Sequence, residues 1–148
     1  MEPLDAAIAR STRLKAWPNN GVTEEVIADA EAVLGVVFPA SYRWWLTVYG
    51  TGLLDGYELQ GLFPSKPSER DPEDVLCGDI VFATLRDRRL FGQPHHLLEL
   101  LSYEGDEVYY LDLSQAVDGE APVVCRDVNA PDLDVDAPTF EAFLRKRL

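Results

Sequence analysis

His95 and His96 are the only two histidines in the chain, and adjacent histidines invite a search for a metal ligand set or a general base. Neighbours on a strand point to opposite faces, so on a strand the two cannot grip one ion together. No HxxxH, HExxH or Cys/His cluster supports them on a loop. Asp132-x-Asp134-x-Asp136 has the spacing that opens a calcium loop. With Asp132 as the first position, Ala137 stands where the sharp turn needs glycine, and Phe143 stands where a bidentate Glu belongs. Cys77 and Cys125 are far apart and form no CxxC. Two cysteines in 148 residues do not make a disulfide framework, so both are expected to be reduced, with Cys125 as a small buried hydrophobe in Val123-Val124-Cys125. There is no GxSxG, P-loop or GxGxxG, and Gly50-Thr51-Gly52 reads as a helix stop followed by a turn. Carboxylates are so plentiful that no pair stands out for acid–base work. The residues therefore indicate no catalytic site, no cofactor and no metal.

Charge points elsewhere. Thirteen Lys and Arg face 26 Asp and Glu, a formal charge of −13, with 47% apolar residues as in ordinary globular chains. Residues 99–141 hold twelve of the acids (Glu99, Glu104, Asp106, Glu107, Asp112, Asp118, Glu120, Asp127, Asp132, Asp134, Asp136, Glu141) and one base, Arg126, a net −11. Nucleic-acid binders neutralise phosphates with Lys and Arg, so direct nucleic-acid binding is not expected. No apolar run reaches the ~18 residues of a membrane span, and Met1-Glu2-Pro3-Leu4-Asp5 carries acids where a signal peptide wants bases. A cytoplasmic chain of one domain, residues 1–148, is the expectation.

The elements follow from periodicity and caps. Leu4, Ala7, Ile8 and Leu14 predict a helix over Leu4–Trp17, ended by Pro18-Asn19-Asn20-Gly21. Thr23 is a good N-cap, Glu24 and Glu25 suit the positive end of the helix dipole, and Gly35 supplies the left-handed stop. A third helix, Ala40–Tyr49, places Tyr42, Trp45, Leu46 and Tyr49 on one face. Trp44 lies about 100° from Trp45, so it is the aromatic expected at a cleft or interface. Strands are predicted at Tyr57–Leu62, Asp79–Leu85, Leu97–Ser102, Val108–Leu113 and Pro122–Arg126, with a polar loop at 65–75. Arg86-Asp87-Arg88-Arg89 reads as a turn or basic edge, Glu104–Glu107 as a hairpin turn, and Pro131–Asp136 as an acidic linker. Pro138–Leu148 reads as a closing amphipathic helix, its Arg145-Lys146-Arg147 end suiting the negative end of the dipole. The order predicts an α+β fold: N-terminal helices packed on a mainly antiparallel sheet and closed by a C-terminal helix.

Three stretches carry a family resemblance. Thr23-Glu24-Glu25-Val26 through Glu31-Ala32-Val33-Leu34-Gly35, then Phe38-Pro39-Ala40-Ser41-Tyr42 and Leu46, resembles the opening of the SUKH superfamily, which includes Smi/Knr-type regulators and bacterial toxin-immunity proteins. Tyr110-Leu111-Asp112-Leu113 with Glu120-Ala121-Pro122-Val123-Val124 resembles its paired late strands, and Thr139-Phe140-Glu141-Ala142-Phe143-Leu144 its closing helix. The matches run from about Val22 to Leu148, with residues 1–21 left as an N-terminal helix and turn. The chain departs from the pattern at Tyr49-Gly50-Thr51-Gly52, at the proline-rich loop 64–78 and at Arg86-Asp87-Arg88-Arg89.

The resemblance implies fold roles for Glu31, Leu34, Gly35, Pro39, Tyr42, Asp112, Pro122 and Phe143, no catalysis, and for bacterial members the binding and neutralising of a toxin, often a nuclease. The chain's acidity suits a basic toxin, since a nuclease is positive around its substrate cleft. The residues expected at such an interface are Glu104, Asp106, Glu107, Asp118 and Glu120 on two loops flanking strand 108–113, with Trp44, Asp55 and Tyr57 as anchors. The alternative is a regulatory or scaffold module without a toxin. Monomer and homodimer are both compatible with the sequence.

Overall fold

The computed structural model describes residues 1–104, 106–127, 129–130 and 132–148. Helices α2 (Glu24–Leu34) and α3 (Ala40–Val48) form where their caps place them. Thr23 accepts from the Val26 backbone N–H at 3.3 Å, and Gly35 closes α2 in the left-handed conformation. The α2–α3 connection is held by a side chain: Glu31 accepts from the Phe38 backbone N–H at 2.7 Å and pairs with Arg43. On α3, Tyr42, Trp45, Leu46 and Tyr49 are buried, and the Tyr42 hydroxyl donates to the Gln60 carbonyl at 2.7 Å.

The strands form two antiparallel sheets, where the sequence predicts one. The first orders β1 (Leu14–Lys15), β2 (Gly52–Leu54) and β3 (Tyr57–Leu59). The second orders β4 (Leu97–Tyr103), β5 (Glu107–Asp112), β6 (Val123–Asp127) and β7 (Asp134–Ala137). Gln60 N–H donates to the Leu100 carbonyl at 2.9 Å and ties the first sheet to the second. The main core joins α2, α3, the inner face of the second sheet and α5 (Phe140–Arg145), with Trp45, Tyr42, Phe140 and Phe143 among its largest buried side chains. A smaller cluster, Leu97, Tyr110 and Val124, lies on the other face of that sheet.

Five predicted elements are corrected. The largest change is at Asp79–Leu85, which is no strand: Ile80–Phe91 is a helix, α4, and Arg86-Asp87-Arg88-Arg89 lies within it. Asp79 caps it by accepting from the Phe82 backbone N–H at 2.9 Å, and Gly92 stops it in the left-handed conformation. Its buried residues Ile80, Thr84 and Asp87 recur at helical spacing. The N-terminal helix α1 (Leu4–Arg10) is shorter than predicted, because the Ser11 hydroxyl accepts from Arg13 and Leu14 N–H and turns the chain into β1. The predicted strand Tyr57–Leu62 stops at Leu59. Gly61 is pinned instead by bonds to Gly78 and Ile80, and a Cβ there would stand 1.7 Å from the Gly50 carbonyl oxygen. The acidic linker is largely a strand, β7, paired with β6 (Pro131 lies outside the described residues). The predicted loop at 65–75 contains one 3-10 turn, Pro67–Glu69, whose Ser68 donates from its N–H and hydroxyl to Asp29 at 2.9 and 2.6 Å.

Candidate interaction site

The eight residues singled out from the sequence fall into two groups. Glu104 and Asp106 lie in the β4–β5 turn and Glu107 begins β5, whereas Asp118 and Glu120 follow its far end. Six residues of strand, about 20 Å at ~3.4 Å per residue, separate the two groups. The turn's Gly105 lies outside the described residues.

The first group is joined by Asp55 and Tyr57 from the β2–β3 hairpin. The Tyr57 hydroxyl donates to Glu104 at 3.1 Å, and its ring meets Tyr103 edge-on at 4.9 Å. Tyr103 in turn meets Tyr109 edge-on at 5.9 Å, so three tyrosines from β3, β4 and β5 run in a row across the seam between the sheets. The row forms because β4 and β5 pair Leu101 with Tyr109 and Tyr103 with Glu107, with a bulge between Glu99 and Leu101. Arg13 donates to both Asp55 carboxylate oxygens, at 2.9 and 2.7 Å, and holds that carboxyl below the usual range. Arg147 stacks over Tyr109 and Phe143 at 4.8 and 4.1 Å and binds Asp136 through two bonds of 2.9 and 3.0 Å. Three of the nearby bases are matched by acids: Arg13 by Asp55, and Lys146 and Arg147 by Asp136. Among the described residues Glu104, Asp106 and Glu107 have no ion-pair partner, and all three are exposed. Asp127 stands opposite Glu107 in the sheet and adds a further exposed carboxylate.

The second group is built differently. Glu120 accepts from the backbone N–H and the hydroxyl of Ser41, at 3.3 and 2.9 Å, while Ala40 N–H donates to the Gly119 carbonyl at 2.8 Å. Pro39 offers no side-chain cap to α3, and this loop supplies one. Trp44 is half-buried, as its offset from Trp45 predicts, meets Tyr49 edge-on at 5.8 Å, and lines a groove with Glu120, Glu141 and Arg145. Asp118 is exposed with φ of 53° at the loop tip.

His95 and His96 are exposed in the turn before β4 and line a different groove, beside Phe38 and Leu113. No group of three or more His, Cys, Asp or Glu among the described residues is placed to hold a metal ion. Cys77 is exposed, and Cys125 is half-buried on β6; both are free thiols. No helix among the described residues is long and apolar enough to cross a membrane.

Sequence reasoning missed Tyr103, Tyr109, Arg13 and Arg147 as parts of this surface. The alternation of inward and outward residues on β4 and β5 carries a signal for the two tyrosines. Nothing local places Arg13 against Asp55 across 42 positions.

Two antiparallel sheets, helices packed around them and a closing C-terminal helix define the class as an α+β protein. Within that class the chain belongs to the SMI1 / KNR4 family (SUKH-1), which it matches over residues 21–146. No individual curated protein matches it. Several residues of the stretches that carry the sequence resemblance make contacts within the fold: Glu31 closes the α2–α3 loop, Tyr42 bonds Gln60, Phe143 is buried, and Asp112 accepts from Ser114.

Proposed function

We propose that this protein is a non-catalytic, cytoplasmic binding module that neutralises a cognate toxin, a basic nuclease-type domain, by direct contact. The observation that carries the reading is the gathering of Asp55, Tyr57, Glu104, Asp106 and Glu107 at one end of the molecule, where Glu104, Asp106 and Glu107, exposed and without an ion-pair partner among the described residues, border half-buried Tyr57 and Tyr103, backed by buried Tyr109. Tyrosine gives large contact area with a polar tip, and interfaces draw most of their holding energy from a few such anchors. Carboxylates around them attract a positive cleft and raise the rate of encounter. Family membership supports a protein partner, and immunity proteins are the bacterial members' usual role. At the far end of β5, Glu120 caps α3, and Trp44 and Asp118 lie outside the proposed contact.

The test uses the product of the adjacent upstream gene, in an inactivated form if it is toxic, with association followed by stopped flow at low salt. Asp106→Lys with Glu107→Lys should slow association about tenfold or more and leave the Tm nearly unchanged. Asp118→Asn, which suits the left-handed backbone there, should leave the rate unchanged. Equal slowing by Asp118→Asn, or none by the double variant, removes this end of the molecule from the interface.

A further inference from the structure

The face farthest in character from the acidic end is that of α4 and the outer side of the second sheet. Leu90 and Phe91 are 59% and 72% exposed, and the adjacent groove, about 400 Å³, runs between them and half-buried Val108 on β5. Arg86 and Arg126 line the same groove, and Arg89 is exposed one turn along α4 from Arg86. The exposed apolar pair is therefore bordered by cations, in a molecule of charge −13.

We infer that this groove is a second docking surface, which takes an acidic segment carrying apolar side chains from a partner other than the toxin. Leu90 and Phe91 give the apolar contact, and the arginines select for carboxylates. Arg126 is held in place by its bond to the Tyr110 hydroxyl at 2.5 Å and by stacking over the Tyr110 ring. A second copy of this chain fits less well: turning α4 onto its own copy sets arginine against arginine.

Buried groups in the floor give the surface a pH signature. Glu99 and Asp87, both more than nine-tenths buried, share Arg86 at 3.2 and 3.4 Å. The groups facing Glu99 are Arg86 and Asp87 from α4 and its cross-strand neighbour Tyr110 from β5, with Arg126 from β6 beside Tyr110. Burial and the Asp87 carboxylate push the Glu99 carboxyl up to about 7. While Glu99 keeps its proton, one carboxylate faces two guanidinium groups, and the groove favours an anionic segment. Loss of that proton weakens this preference.

The test pans a displayed library of random twelve-residue peptides against the full chain. Enriched peptides should combine Asp or Glu with Leu or Phe. Their binding should fall at least tenfold with Leu90→Ser plus Phe91→Ser and several-fold from pH 6 to pH 8, and Glu99→Gln should abolish that pH dependence. No enrichment over the Leu90→Ser, Phe91→Ser chain, or enrichment of basic or uncharged peptides, overturns the proposal. So does a dimer in sedimentation that these substitutions dissolve, since the occupant is then a second copy. Loss of toxin neutralisation in the same variants assigns the face to the toxin and contradicts the inference, while the reading of the protein as an immunity module stands.

Discussion

Carboxylates of similar sequence surroundings do different work in this chain, and contact with the rest of the fold decides which. Glu31 and Glu120 accept from backbone N–H groups and fix loops. Asp106 and Glu107 face solvent. Glu99 is buried and keeps its proton well above the ordinary value of 4.5. The folded chain thus holds a proton in a range where the unfolded chain has released it. The stability this group contributes is complete below about 4.5 and is lost as pH rises to about 7, on the order of 3 kcal/mol in all. Asp29, Asp55, Asp112 and Asp136 have lowered values, so their contribution is present above the ordinary 3.8 and is lost as pH falls below it. Thermal stability should peak in mildly acid solution and decline toward pH 8. Glu99→Gln should flatten that decline by several degrees of Tm in calorimetry; an unchanged slope would assign the decline to general charge repulsion instead.

Elements were legible where local chemistry marks both ends. Thr23 and Gly35 bracket α2, Gly50 follows α3, and Thr139 caps α5 by accepting from the Ala142 backbone N–H. The same kind of signal, Asp79 and Gly92, brackets α4, but the run Ile80-Val81-Phe82 has the composition of a strand and masks it. Strands β1 and β2, of two and three residues, are too short for any periodicity, and β7 carries acids at alternate positions that resemble a linker. Pairing with distant partners makes these segments strands, and no local pattern reports it. Asp79 is both the cap of α4 and the buried partner of Arg70, at 2.6 Å. Asp79→Ala removes the cap and strands a largely buried guanidinium, and should cost about 3–5 kcal/mol in urea denaturation. Asp79→Asn with Arg70→Met, which keeps a capping oxygen and removes both charges, should cost clearly less than Asp79→Ala. Equal losses would show that the ion pair, not the helix start, sets the stability here.

For the whole molecule, the charge of −13 is legible as a number and as a concentration in residues 99–141, but its distribution in space is not. Folding removes Glu99, Asp112, Glu120 and Asp136 from the surface reservoir by burial or by specific partners, and sets Glu104, Asp106, Glu107 and Asp127 at one end of β5 and Asp118 beyond the other. Only one of those ends also holds the row of tyrosines, which depends on register across two sheets and so lay beyond the sequence. The acidic end then has the charge to meet a basic toxin, and α4 presents a surface of opposite character. The most direct measurement of the central claim is growth of cells that co-express this chain with the active product of the adjacent upstream gene. Immunity requires growth with the unaltered chain and its loss with Asp106→Lys plus Glu107→Lys, both chains being folded and equally abundant. Continued toxicity with the unaltered chain, and no complex between the two purified proteins, would contradict it.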